Sequence, residues 1–245
     1  MGNFFAALTF LTVLPAPRTQ GQIGAGTLPW FPVVGLLIGG LIFLFDYILL
    51  RLFPVQITSL FSVLFLAAIT GGIHLDGLAD TADGLFSHRS REDALRIMKA
   101  SDIGAMGAMA LFFILGLKWA ALANLPRGGG ASWACLVLPA AYGRAAMLFG
   151  TYFLPYARKE GGTGRDFVSK EGVTRFLLVA PLMGLPLLVG LKTFLWMNGI
   201  FLLMTAAVLA FYKKKIGGIT GDMLGALSEL VETALFLTGV FLINS

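Results

Sequence analysis

Apolar residues run along this chain in stretches of about bilayer length. Roughly 20 apolar residues cross a membrane as a helix. Seven stretches meet or approach that length, at about 30–50, 57–73, 103–123, 131–154, 173–195, 197–212 and 225–243. The second and sixth are short and are expected to tilt or to thin the local bilayer. The first 15 residues are apolar but too short to span, and Leu14–Pro15–Ala16–Pro17 ends them. They read as a re-entrant or interfacial segment. Without a basic start or a cleavage site, they do not read as a removed leader. The predicted fold is all-α: a polytopic integral membrane helical bundle of about seven transmembrane helices, forming one domain over residues 1–245. No long linker, low-complexity run or repeat interrupts it, and residues 128–130 and 161–164 read as flexible turns.

Composition strengthens this picture. Apolar residues make up 57% and charged residues 13%, about half the roughly 25% of a soluble domain. Mean hydropathy is +0.84. So few charges cannot cover a soluble surface, and a single cysteine, Cys135, excludes a disulfide scaffold. The charges are also placed unevenly. With the N-terminus inside, 13 of the 18 Lys and Arg residues fall in inside segments and only Arg51, Arg127 and Lys192 fall outside. The positive-inside rule then predicts N-in and C-out in the cytoplasmic (inner) membrane, with lipid as the surroundings. The net charge of +5 is thus a topology signal. Nucleic acid is not an expected partner, because the basic residues sit in separate short loops. Ten of the 13 acids fall on the same side, leaving Asp46, Glu229 and Glu232 in spans. The chemistry is expected at the cytoplasmic face.

The most informative stretch is Gly71–Gly72–Ile73–His74–Leu75–Asp76–Gly77–Leu78–Ala79–Asp80–Thr81–Ala82–Asp83–Gly84–Leu85. Its carboxylates at i, i+4 and i+7 share one helix face. Like charges so placed repel, and the membrane edge raises their cost. A divalent cation resolves both problems, and carboxylates with open positions suit Mg²⁺ or Mn²⁺. The small neighbours Gly77, Ala79, Ala82 and Gly84 leave room for a phosphate ligand or a second helix. The competing reading is a solvated acidic turn. An EF-hand lacks its ligand order here, and zinc lacks its ligands.

Two further segments are candidates. Residues 216–226, with Lys213, Lys214 and Lys215 ahead of them, resemble a glycine-rich phosphate cradle at a helix start. Within them Asp222 is either a ligand residue or the helix N-cap. The loop Tyr156–Ala157–Arg158–Lys159–Glu160–Gly161–Gly162 suits a phosphate or serves only as a positive-inside anchor. Arg144, in mid-span, needs a partner or an aqueous cavity. Glu229 and Glu232 are its natural partners, and a structural salt bridge competes with substrate contact. Asp46 and Lys118 receive no role. Cys135 is expected to be inert, and His88 a loop residue without metal.

At this point the sequence resembles the cobalamin synthase family, also called adenosylcobinamide-GDP ribazoletransferase. The resemblance covers nearly the whole chain. It runs through Phe10–Leu11–Thr12 with Leu14–Pro15–Ala16–Pro17, residues 31–39, the acidic run from Thr70 to Gly84, Ile97–Met98–Lys99 with Ile103–Gly104, Tyr156–Ala157–Arg158, and Gly217 to Ala226. The H-L-D-G-L-A-D-T-x-D-G run is the most specific part. Two departures stand out: Ala100–Ser101–Asp102 where the family often reads D-S-R, and Val13 where it has Arg.

The resemblance implies a Mg²⁺-dependent membrane enzyme. A hydroxyl of α-ribazole, or of its 5′-phosphate, attacks the cobinamide-bound phosphate of adenosylcobinamide-GDP, and GMP leaves. Asp76, Asp80, Asp83 and Asp222 are then the expected metal residues, and Asp76, Asp80 and Asp83 the catalytic acids, with Asp83 sharing metal or acting as base. His74, Lys99, Asp102, Arg144, Arg158 and Gly221 are the expected substrate-binding residues. A homo-oligomer and contacts with other nucleotide-loop enzymes are open partner readings. The acidic run loosely resembles that of CDP-alcohol phosphotransferases, making a phospholipid synthase the first alternative function. An ion-coupled transporter is the second, although its coupling acids would belong near the midplane.

Overall fold

The computed structural model describes residues 2–17, 24–100, 102–125, 127, 132–158, 165–167 and 176–244. The glycine turns at 128–130 and 161–164, and Arg18, Lys159, Glu160, Lys170, Glu171 and Arg175, lie outside the described residues. The described residues form ten α-helices: α1 (Gly2–Leu11), α2 (Phe31–Leu49), α3 (Val55–Ile69), α4 (Ile73–Leu85), α5 (Arg91–Ile97), α6 (Ala105–Asn124), α7 (Ser132–Phe153), α8 (Val179–Gly184), α9 (Leu191–Lys215) and α10 (Gly221–Asn244). Short 3₁₀ segments at Ala25–Trp30, Arg165–Phe167 and Leu185–Leu188 join them. An all-α polytopic bundle is what the apolar stretches predict.

Five helical segments are long and apolar enough to cross a membrane: Ala25–Leu49, α6, α7, α9 and Gly221–Leu242. The other two predicted spans differ from expectation. Residues 57–73 do not form one helix, because α3 stops at Ile69 and α4 leaves at 87° to it. The cause is local. Gly71 (φ +60°) and Gly72 (φ +72°) adopt left-handed backbone. Their N–H groups donate to the Ala68 and Ala67 carbonyls at 3.0 and 2.9 Å, a Schellman-type stop that favours glycine.

Residues 173–195 are likewise not one span. In the described part, α8 and a 3₁₀ turn end at Gly190 (φ +150°), and α9 then runs unbroken to Lys215. Pro181 and Pro186 remove backbone donors in this stretch. Tyr142 meets Asn198 and Phe149 meets Phe201, so α7 and α9 run parallel.

α7 is the central post. Of its apolar window 89% is buried, against 28% for α6 and for α9, which therefore present their large apolar side chains to lipid. α2 packs against α7 through a small-xxx-small pair that lets backbones approach. A Cβ on Gly35 would lie 2.5 Å from Ala141 Cα, and one on Gly39 would lie 2.0 Å from the Val137 carbonyl oxygen. α10 packs antiparallel on the opposite side, with Gly143 against Ser228 and Gly150 against Leu224.

Charges inside the bundle are paired. At one end Arg127 forks onto Asp46 at 2.9 and 3.0 Å, and Ser62 donates to the same carboxylate. Asp46, given no role from the sequence, thus pairs with an arginine of the predicted outside segment. In the interior Lys118 Nζ donates to Glu229 and Glu232 at 2.6 Å each, and Arg144 pairs with Glu232. Glu229 is thus the partner of Lys118, not of Arg144. The expected salt bridge for Arg144 exists, with one acid instead of two.

Candidate active site

The acidic stretch forms α4, and the glycines in it bring it close to its neighbours. A Cβ on Gly77 would lie 2.7 Å from the Asp222 carbonyl oxygen. α4 therefore meets the start of α10 without a side chain between them. This places Asp76 and Asp80 beside Asp222, the acid of the second candidate segment. Thr220, not Asp222, caps α10: its Oγ1 accepts from the Met223 N–H at 3.2 Å. Asp222 lies in the first turn, where the helix dipole favours a carboxylate, and its side chain turns to other contacts.

The third segment joins the same place. Ala157 N–H donates to the Ile219 carbonyl and Ile219 N–H donates to that of Pro155, both at 2.9 Å. Gly218 permits this pairing, because a Cβ there would meet the Pro155 oxygen at 2.6 Å. Arg91 then ties both segments to α5, donating to the carbonyls of Ile216 at 2.7 Å and Ala157 at 2.9 Å. The outcome is an ion pair of Arg158 with Asp222 at 2.6 Å. Sequence reading singled out both residues but had no means of pairing them, and it missed Arg91. A charged residue flanking the Ser90 helix cap was the only signal available for Arg91.

Asp83 has a second occupation. Its two carboxylate oxygens accept from the N–H groups of Gly104 at 2.7 Å and Gly107 at 2.9 Å, capping α6 from outside. A Cβ on either glycine would fall 2.4 Å from those oxygens. Asp83 therefore anchors the acidic helix to α6.

The electrostatics follow from this crowding. Burial first, then the charges of Asp76, Asp222 and Asp83, push the Asp80 carboxyl up to about 6 against the pull of Arg158. Four carboxylates facing one close guanidinium leave an excess of negative charge. That excess fits a divalent cation. Among the described residues no three acidic, imidazole or thiol groups already stand together as a metal cage. The arrangement suits Mg²⁺, which takes one or two protein oxygens and completes its shell from water and phosphate.

Two openings flank the cluster. One is an open cleft of about 510 Å³ lined by Phe10, His74, Asp76, Phe167, Gly221 and Asp222 among others. The other, of about 770 Å³, is lined by Arg91, Glu92, Arg96, Lys99 and Arg158. Lys99 and Arg158 thus share a basic opening, whereas Gly221 and His74 share the first one. Arg144 lines neither; it lies behind His74, its Nη2 3.3 Å from His74 Nδ1. Asp102 is exposed and outside both linings.

Comparison with known proteins gives the family of the chain. The family model described as cobalamin-5-phosphate synthase matches residues 3–240. An adenosylcobinamide-GDP ribazoletransferase of Chlorobaculum parvum is 39% identical, covering 98% of each chain. One from Chlorobaculum tepidum is 38% identical over 97% of this chain and 94% of its own. One from Escherichia coli is 37% identical over 96% and 97%. No solved structure matches. With a whole-length family match and relatives of this closeness, the chain belongs to the cobalamin-5-phosphate synthase family.

Proposed function

We propose that this protein is a Mg²⁺-dependent adenosylcobinamide-GDP ribazoletransferase. It joins α-ribazole, or its 5′-phosphate, to the cobinamide phosphate with release of GMP. The observation that carries the reading is the convergence of Asp76, Asp80 and Asp222 with Arg158 between two openings. One opening is basic, for a nucleotide diphosphate; the other is largely apolar, for the acceptor. Full-length relatives are named for this transfer. Mg²⁺ held by Asp76 and Asp222, the carboxylates that line the cleft, would neutralise charge on the transferring phosphoryl group.

The chain's own residues do the rest. Arg158 and Lys99 bind the diphosphate and the departing GMP. Asp80, with its carboxyl near 6, is the carboxylate best matched to take the proton of the attacking hydroxyl. Asp83 holds α4 in register with α6. Catalysis is then chiefly positioning and charge neutralisation. In this reading the acidic end faces the cytoplasm of the inner membrane, with the N-terminus inside and the C-terminus outside; the excess of Lys and Arg in the inside segments supports it.

Supplying adenosylcobinamide-GDP or a CDP-alcohol to the purified protein separates this reading from a phospholipid synthase. GMP release is expected; CMP release alone would overturn it. A pH dependence also follows. Asp80 is protonated below about 6, so it can neither accept a proton nor assist a cation there. kcat/KM is expected to fall about tenfold per pH unit below that value. Rising Mg²⁺ should move the limb to lower pH, because cation and proton compete. A profile flat from pH 7 to 5 at low Mg²⁺ would remove Asp80 from the chemistry.

A further inference from the structure

We propose that the cleft beside Asp76 and Asp222 seats the flat aromatic base of the acceptor nucleoside, and that His74 reads a ring nitrogen of that base by donating a hydrogen bond to it. The inference rests on the transfer reading above and adds where the acceptor sits and what selects it.

The lining of the cleft decides which half of the reaction it serves. Phe10, Ile73, Met147, Phe167 and Leu224 form most of its wall. The Phe10 and Phe167 rings are 5.1 Å apart, and both rest on Phe31 at 5.9 and 5.5 Å. An anionic diphosphate gains little from aromatic walls with two carboxylates at their edge. A neutral, flat heterocycle gains stacking and apolar burial there. Its ribose hydroxyl would then point toward Asp76 and Asp222, where the phosphoryl group must be.

His74 supplies the polar readout. It is 2% exposed. Arg144 Nη2 lies 3.3 Å from Nδ1, and a guanidinium only donates. Nδ1 is therefore the acceptor, and the ring hydrogen is on Nε2. Nε2 is buried and has no hydrogen-bond partner, a condition that buried donors seldom tolerate. The unprotonated ring nitrogen of a benzimidazole nucleoside such as α-ribazole is the acceptor it lacks.

Arg144 is the positioning residue. Glu232 and the Ala140 carbonyl fix its guanidinium. Lys118 and Glu229 complete a group of two cations and two anions. The group as a whole is neutral and holds the guanidinium in place against the imidazole.

The test compares two acceptors on the purified full-length protein with Mg²⁺ and adenosylcobinamide-GDP, scored by GMP release. One is α-ribazole. The other is its indole counterpart, in which carbon replaces the ring nitrogen not joined to ribose. Wild type is expected to prefer α-ribazole by about 10- to 100-fold in kcat/KM. His74→Leu should bring that ratio near one, mainly through a higher KM for α-ribazole. His74→Gln, whose amide stands near the position of Nε2, should restore most of the preference. His74→Asn, whose amide stands near Nδ1, should not. The Gln and Asn pair decides the matter if His74→Leu does not fold. A wild type indifferent to the two acceptors, or a preference that survives in His74→Leu or His74→Asn, overturns the assignment. If wild type releases GMP with neither acceptor, the transfer reading fails, and this inference fails with it.

Discussion

Asp76→Asn is expected to lower the rate of transfer by about 10³-fold or more while leaving the protein folded in the membrane. Asp76 lines the cleft at the junction of α4 and α10, and its charge is among those that raise the Asp80 carboxyl. Asn keeps the shape and removes the charge on which a cation depends. The same change relieves repulsion in the metal-free protein, so thermal stability without Mg²⁺ should stay level or rise. The stabilisation that Mg²⁺ gives to the wild type by binding the folded state should shrink. Melting curves in detergent with and without Mg²⁺, beside GMP release, measure both effects. Near-normal turnover by Asp76→Asn would exclude the metal role.

Glu232→Leu should be the most destabilising of the interior charge changes. Glu232 is 1% exposed and serves both Lys118 and Arg144. Removing it leaves Lys118 with Glu229 alone and Arg144 buried without its carboxylate. Breaking a buried pair in this way costs about 3–5 kcal/mol, enough to lower Tm by roughly 10 °C in a chain of this size. Replacing Lys118 and Glu229 together, by Met and Leu, removes one charge of each sign. It leaves Arg144 with Glu232 and should cost far less. The comparison asks whether charge balance or the number of ion pairs holds the interior together. Equal losses in the two proteins would contradict the balance argument.

Much of this was legible in the sequence because its signals are local or one-dimensional. Apolar length gave five of the seven predicted crossings, and i, i+4, i+7 spacing placed Asp76, Asp80 and Asp83 on one helix. What escaped depends on geometry between distant segments. Gly71–Gly72 looked like part of a functional run, yet their left-handed backbone makes the 87° corner that separates α3 from α4. Asp83 looked like its two neighbours, but Gly104 and Gly107 place it against backbone donors. Lys118 had no assigned partner because Glu229 lies 111 residues away. The Arg158–Asp222 pair depended on Gly218 letting two loops touch. Glycine marks each of these approaches in the sequence without saying what will approach.

The central claim is that the carboxylate cluster transfers a phosphoryl group between two bound substrates. The most direct measurement is the stoichiometry of GMP and corrinoid product with purified protein, Mg²⁺ and adenosylcobinamide-GDP, with and without α-ribazole. The account predicts one GMP per cobalamin formed and almost none without the acceptor. GMP released at the same rate with no acceptor present, or no GMP at all with both substrates and Mg²⁺, would contradict it.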